Sequence, residues 1–154
     1  GDIFLFAHVD MRLPANSVFL IRQKIDQGYG CGGFWKCYQP AQRGLKLYAA
    51  ALNKIYLNGM RALVGTNAIF VTRSVFDQVG GYPEVPFLED VEFSKRLRQA
   101  GRVGVIQKSV LVSSRRYQRR GVFKQAMRNA QILFAHEWFK KSGKELKEVY
   151  GASA

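Results

Sequence analysis

Asp2-Ile3-Phe4-Leu5-Phe6-Ala7-His8-Val9-Asp10 sets a short, wholly apolar run directly before a polar pair. A run this short, rich in Ile and Phe, predicts a strand over 2–7 that is buried on both faces of a parallel or mixed sheet. Open α/β sheets bind ligands beyond the C-terminal ends of their strands, and Asp10 stands at such an end. A carboxylate there can hold a divalent cation and, through it, a diphosphate. A turn aspartate ahead of Arg12-Leu13-Pro14 would look the same in sequence. His8 falls on the same face of an extended chain as Asp10, either as a weak metal ligand or as a satisfied histidine.

Outward from this stretch, strand and helix patterns alternate. Val18, Ile21 and Ile25 predict a helix over 17–27 that Gly28 stops. Residues 30–39, with Phe34 and Tyr38, predict a strand, weakened by its glycines. Leu45, Tyr48, Ala49, Leu52, Ile55 and Tyr56 predict an amphipathic helix over 43–58, ended by Asn58-Gly59. Gly65-Thr66-Asn67 is a turn into a strand over 68–72, and Ser74 is placed to cap a brief helix over 75–79. An irregular stretch containing Pro83 and Pro86 leads to a helix over 90–100, with Glu92 and Arg96 one turn apart. Residues 103–107 and 110–114 read as a strand pair around a Lys108-Ser109 turn. A long helix is predicted over 119–139, its apolar side (Val122, Phe123, Ala126, Met127, Ala130, Leu133, Phe134) packed and its Arg120, Lys124, Arg128 side solvated or anion-binding. A short helix over 142–150 completes the pattern. Such alternation predicts a single α/β layer domain over 1–154.

Composition narrows the function. The chain has 154 residues, 47% of them hydrophobic, ordinary for a globular protein. No apolar run approaches the ~18 residues of a membrane span, and no basic leader precedes the opening run. A formal net charge of +13 implies an anionic partner: nucleotide, nucleic acid or membrane surface. Cys31 and Cys37 would lie roughly 20 Å apart along a strand, too far for a disulfide. Two free thiols suit a reducing, cytoplasmic compartment.

Two further groups could carry chemistry. Glu89 and Asp90 sit at a predicted helix start, where an acid caps N–H groups and complements the dipole. Behind the rigid Pro86-Phe87-Leu88 approach, one of them could equally face a cleft as a general base. Arg115, Arg116, Arg119 and Arg120 surround Tyr117, a spacing that suits bidentate phosphate contacts or simply a solvated face. Gly65 permits a turn or a close backbone approach to substrate.

Five motifs in order, His8-Val9-Asp10-Met11-Arg12-Leu13-Pro14, Gly65-Thr66-Asn67-Ala68-Ile69-Phe70-Val71, Gly80-Gly81-Tyr82-Pro83, Phe87-Leu88-Glu89-Asp90-Val91-Glu92 and Ser114-Arg115-Arg116-Tyr117, give the chain a family likeness. It resembles the C-terminal part of family 2 inverting glycosyltransferases of the GT-A fold, above all the small bacterial enzymes whose metal motif reads His-Ala-Asp-Thr. The resemblance implies transfer of a sugar from a nucleotide-diphosphate sugar to a hydroxyl acceptor with inversion, in cell-envelope or glycolipid synthesis. It implies that Asp10, with His8, binds Mn²⁺ or Mg²⁺ on the leaving diphosphate. Asp90 would be the catalytic base and Glu89 would shape the acceptor site. Arg115, Arg116 and Tyr117 would contact the diphosphate, and Gly65, Thr66 and Asn67 the acceptor. His8 replaces the first acid of the family's Asp-x-Asp motif, and the Gln-x-x-Arg-Trp pattern of processive synthases is absent.

The family's N-terminal nucleotide-binding strands have no counterpart in this sequence. A partial sheet would expose strand edges, so the expectation is a fragment that is inactive alone or completed by self-association. A lipid-linked acceptor would place it at the inner face of the membrane. The competing class is a basic binding module for nucleic acid or an anionic membrane; no RNA-binding signature or base-stacking motif supports the nucleic acid.

Overall fold

Strand β3 (Cys31–Gln39) is the axis around which the other strands assemble. Its glycines have a packing reason. A Cβ on Gly32 would strike the Gly104 carbonyl and the Phe70 ring. Strand β5 (Val103–Ser113) runs parallel to β3, from Cys31 opposite Val103 to Gln39 opposite Ser113. On the other side β4 (Ile69–Thr72) is antiparallel and pairs with β3 at Cys31 and Gly32. β1 (Ile3–Phe6) is antiparallel to β4, and β2 (Met11–Arg12) to β5. The order is β1-β4-β3-β5-β2, a five-stranded mixed sheet in an α/β fold. This computed structural model describes residues 1–138. The chain divides into two compact units, Gly1–Pro83 with Asp90–Ser114, and Glu84–Glu89 with Arg115–Ala154.

In the first unit, α1 (Ser17–Asp26) ends near Gly28, whose φ of 84° only glycine adopts freely. α2 (Arg43–Ala51) passes directly into a π-helical segment, Leu52–Gly59. Leu45, Ala49, Asn53 and Leu57 are the buried residues of this continuous helix, each four after the last. An α-helix turns every 3.6 residues, so a four-residue row drifts around it. The wider π turns return the row to the sheet, and they bring Asn53 to the edge of β3.

The core gathers Cys31, Leu57, Leu63, Ile69, Val71, Phe93, Leu97 and Val103. Phe4, Phe6, Phe76, Tyr82 and Phe93 add an aromatic group, with Phe4 and Phe76 centroids 4.8 Å apart and Tyr82 and Phe93 4.7 Å apart. This group rests on β1, which is a half-buried edge strand and not the doubly covered strand that its composition predicts; Ile3 is exposed. α3 (Arg73–Gln78) begins two residues earlier than expected, and Thr72, not Ser74, caps it by accepting the Val75 amide. α4 (Glu89–Ala100) begins one residue before the expected start and ends where expected. Its Glu92 pairs with Lys95 at 3.0 Å, while Arg96 donates to the Val79 carbonyl.

The strand pair expected around Lys108-Ser109 is one strand. The register steps from Phe34 opposite Ile106 to Trp35 opposite Ser109, so the exposed Gln107 and Lys108 form a bulge while β3 continues alongside.

In the second unit the single long helix predicted over 119–139 is two. α5 (Arg115–Arg120) and α6 (Val122–Trp138) meet at Gly121, whose φ is 81°. Its apolar stripe is only partly covered: Phe123 and Met127 are exposed, and Gln125 is buried in their stead. Asn129 donates to the buried Tyr117 hydroxyl and accepts from Gln125. The helix expected over 142–150 lies outside the described residues.

Candidate functional site

β4 stops pairing after Gly32, so the main-chain groups of β3 beyond that point need other partners. Side-chain amides supply them. Asn67 Nδ2 donates to the Phe34 carbonyl at 2.8 Å; Asn53 accepts the Lys36 N–H at 3.0 Å and donates to the Lys36 carbonyl at 2.9 Å. Asn67 Oδ1 also accepts the Val64 N–H, which closes the 3₁₀ turn Gly65–Asn67. Asn67 is therefore buried and fully engaged in holding this turn against β3.

α4 fastens the other side of the turn. Asp90 and Ser94 lie one helical turn apart and share a face. Ser94 Oγ accepts the Leu63 N–H at 2.7 Å, and Asp90 Oδ2 accepts the Gly65 N–H at 2.5 Å. Asp90 Oδ1 takes the Val91 amide at 2.8 Å. Thus the carboxylate does serve the helix start, and it also reaches a second segment, which a simple cap would not do. A non-glycine residue in the left-handed region, Ala68 (φ 48°), follows the turn. Such a conformation costs of the order of 1 kcal/mol and is held by surrounding structure.

Lys36 enters the same cluster from β3. It is only 4% exposed, and its Nζ donates to Thr66 Oγ1 at 3.0 Å. Burial lowers its pKa from 10.5 to about 8, opposed by the Asp90 carboxylate, which favours the ammonium. His8 completes the group: its imidazole rests where a Gly65 Cβ would be, so the glycine is what admits it. The His8 carbonyl accepts the Met11 N–H, making a surface turn in which Val9 and Asp10 are exposed.

The structure thus brings together His8, Gly65, Thr66 and Asp90 with Lys36, and sets Asp10 on the turn two residues past His8. Glu89 falls just across the boundary into the second unit. Arg115, Arg116 and Tyr117 belong to that unit too, the two arginines exposed and the tyrosine buried. The sequence reasoning missed Lys36 and Asn53. The available signal was one lysine inside the aromatic strand Phe34-Trp35-Lys36-Cys37-Tyr38, a charge that a buried strand must pair.

Among the described residues no three His, Cys, Asp or Glu side chains gather as a metal set. An exposed carboxylate at Asp10 is nonetheless a hard oxygen donor of the kind that holds Mg²⁺ or Mn²⁺ when substrate phosphates and water complete the shell. Cys31 is a buried free thiol pushed up to about 11, and Cys37 is also free and raised by burial, so neither is an activated nucleophile. Compared with protein-family models, characterised proteins and solved structures, the chain matches none.

Proposed function

We propose that the chain carries the acceptor side of an inverting glycosyltransferase of the GT-A type, acting on a nucleotide-diphosphate sugar and a hydroxyl acceptor. The observation that carries this reading is the Asp90 carboxylate, fixed by the Gly65 and Val91 amides and facing the buried Lys36 charge. A carboxylate held by two N–H groups keeps lone pairs free and cannot swing, which is what a general base for a hydroxyl needs. Asp90 takes the acceptor proton as the oxygen attacks the anomeric carbon; the bond to the diphosphate breaks on the opposite face, and configuration inverts. Thr66, held by Lys36, and the open backbone of Gly65 would orient the acceptor.

A divalent cation, when bound, would neutralise the leaving diphosphate. Asp10, with His8 near it in sequence, would be its protein ligand. In the second unit, Arg115 and Arg116 present exposed guanidiniums of the kind that contact phosphate.

A thermal-shift screen of nucleotide-diphosphate sugars, with and without Mn²⁺, identifies the donor; release of nucleoside diphosphate in the presence of hydroxyl acceptors then reads turnover. Asp90→Asn should abolish turnover and leave the nucleotide-induced shift nearly intact. Undiminished turnover in that variant would refute the assignment.

A further inference from the structure

The helix running from Arg43 to Gly59 turns a distinctive face outward. With Leu45, Ala49, Asn53 and Leu57 directed inward, two rows lie exposed side by side at four-residue spacing. One is Leu47, Ala51 and Ile55, the other Lys46, Ala50 and Lys54. Leu47 is 74% and Ile55 66% exposed, and Met60, just past the helix, is 55% exposed. Arg43 and Arg61 extend the basic character at both ends. From residue 27 to residue 76 the sequence contains no Asp or Glu, so nothing acidic within this stretch offsets these cations.

Behind the rows lies a cleft of about 330 Å³ between the helix and β3, lined by Trp35, Tyr38 and Ala49 together with Lys46 and Lys54. Among the described residues no helix is long and apolar enough to cross a membrane.

We infer that this helix face docks on the surface of an anionic phospholipid bilayer. Aliphatic side chains in an exposed row gain by entering the boundary between headgroups and acyl chains, and an adjacent row of lysines gains by meeting anionic headgroups. A charged lipid surface offers both gains at once along the whole length of the helix; a nucleic acid backbone would satisfy the lysines and leave Leu47, Ile55 and Met60 in water. The inference stands independently of the transferase reading, since it concerns binding and not turnover.

Flotation with phosphatidylcholine vesicles, and with phosphatidylcholine mixed with phosphatidylglycerol, tests it on the full chain. The protein should float with the mixed vesicles, less so as salt rises, and stay behind with pure phosphatidylcholine. Lys46→Glu with Lys54→Glu should weaken binding about tenfold or more, at roughly 1 kcal/mol per basic residue. Leu47→Ser with Ile55→Ser should weaken it by a similar factor, and Arg22→Glu, an exposed charge on α1, should change it little. All five positions are exposed, and circular dichroism checks that the variants fold. Equal flotation with both vesicles, or unchanged binding in either double variant, would overturn the inference. So would an apolar variant that binds normally while an oligonucleotide displaces the vesicles, which would make the face a nucleic acid site.

Discussion

Asp90 accepts the main-chain N–H of Gly65 at 2.5 Å, bridging two segments that lie 25 residues apart in the chain. Ser94 repeats the contact one turn later with Leu63. The pair rivets the segment before β4 to α4. Asp90 therefore has a structural duty whether or not it is a base, and the two duties respond differently to substitution.

Asp90→Asn keeps an oxygen for the Gly65 amide but sets an NH₂ against the Val91 N–H and removes the charge facing Lys36, so it should cost about 1–2 kcal/mol, less than removing the side chain. Turnover should fall by about 10²–10⁴, the usual worth of a positioned general base. Asp90→Ala removes the acceptor as well and should cost about 1–3 kcal/mol of unfolding free energy, measured in urea. If Asn and Ala destabilise equally, the Gly65 contact does not hold the turn.

Lys36 makes a pH prediction whose sign follows from its burial. Its folded pKa, about 8, lies below the ordinary 10.5. Below pH 8 both folded and unfolded chains hold the proton, and the cost of burying the charge is fully present. Between about 8 and 10.5 the folded chain sheds it first, so the Lys36 contribution to stability rises with pH. Cys31 acts the other way. Raised from 9.0 to about 11, its thiol ionises first in the unfolded chain, and stability falls through that window. The interval from 8 to 9 therefore isolates the lysine from Cys31. Lys36→Met should remove the rise there; a wild-type slope that persists in the variant would assign it to another group.

How much of this was legible beforehand depends on how local each cause is. Helical spacing marks α1 and α2 in the sequence, because a buried face repeats within the element itself. The bulge at Gln107-Lys108 looked like a turn, since only the continuing presence of β3 beside it makes it strand. Asp90, Gly65 and His8 stand out by their places at element boundaries, yet their meeting at Gly65 is a tertiary contact that no local pattern carries. Lys36 is not legible from its own strand, because its partners, Thr66 and Asp90, come from segments distant in sequence, and Asn67 is what holds the Thr66 turn against β3.

Gly65→Ala tests the seat of His8. A methyl group there would meet the imidazole and not the backbone, and His8 is exposed, so the ring can move aside. Gly65 has no positive φ to defend. The expected result is a loss of under about 1 kcal/mol, with displaced imidazole resonances in NMR spectra. Unmoved His8 resonances would show that the ring does not rest on Gly65 in solution.

Asn53→Ala should be the most damaging of these changes to stability. It leaves the N–H and the carbonyl of buried Lys36 without their amide partner, at about 1–3 kcal/mol for each group. Asn58→Ala, which deprives only the half-buried Trp35 indole, should cost roughly 1 kcal/mol. Equal losses in the two variants would argue against the clamp. A further readout separates holding the strand from holding the lysine: with Asn53 gone, Lys36 should drift toward water and lose its pH 8–9 stability signature. A destabilised variant that keeps that signature would mean that β5 and Thr66 alone fix Lys36.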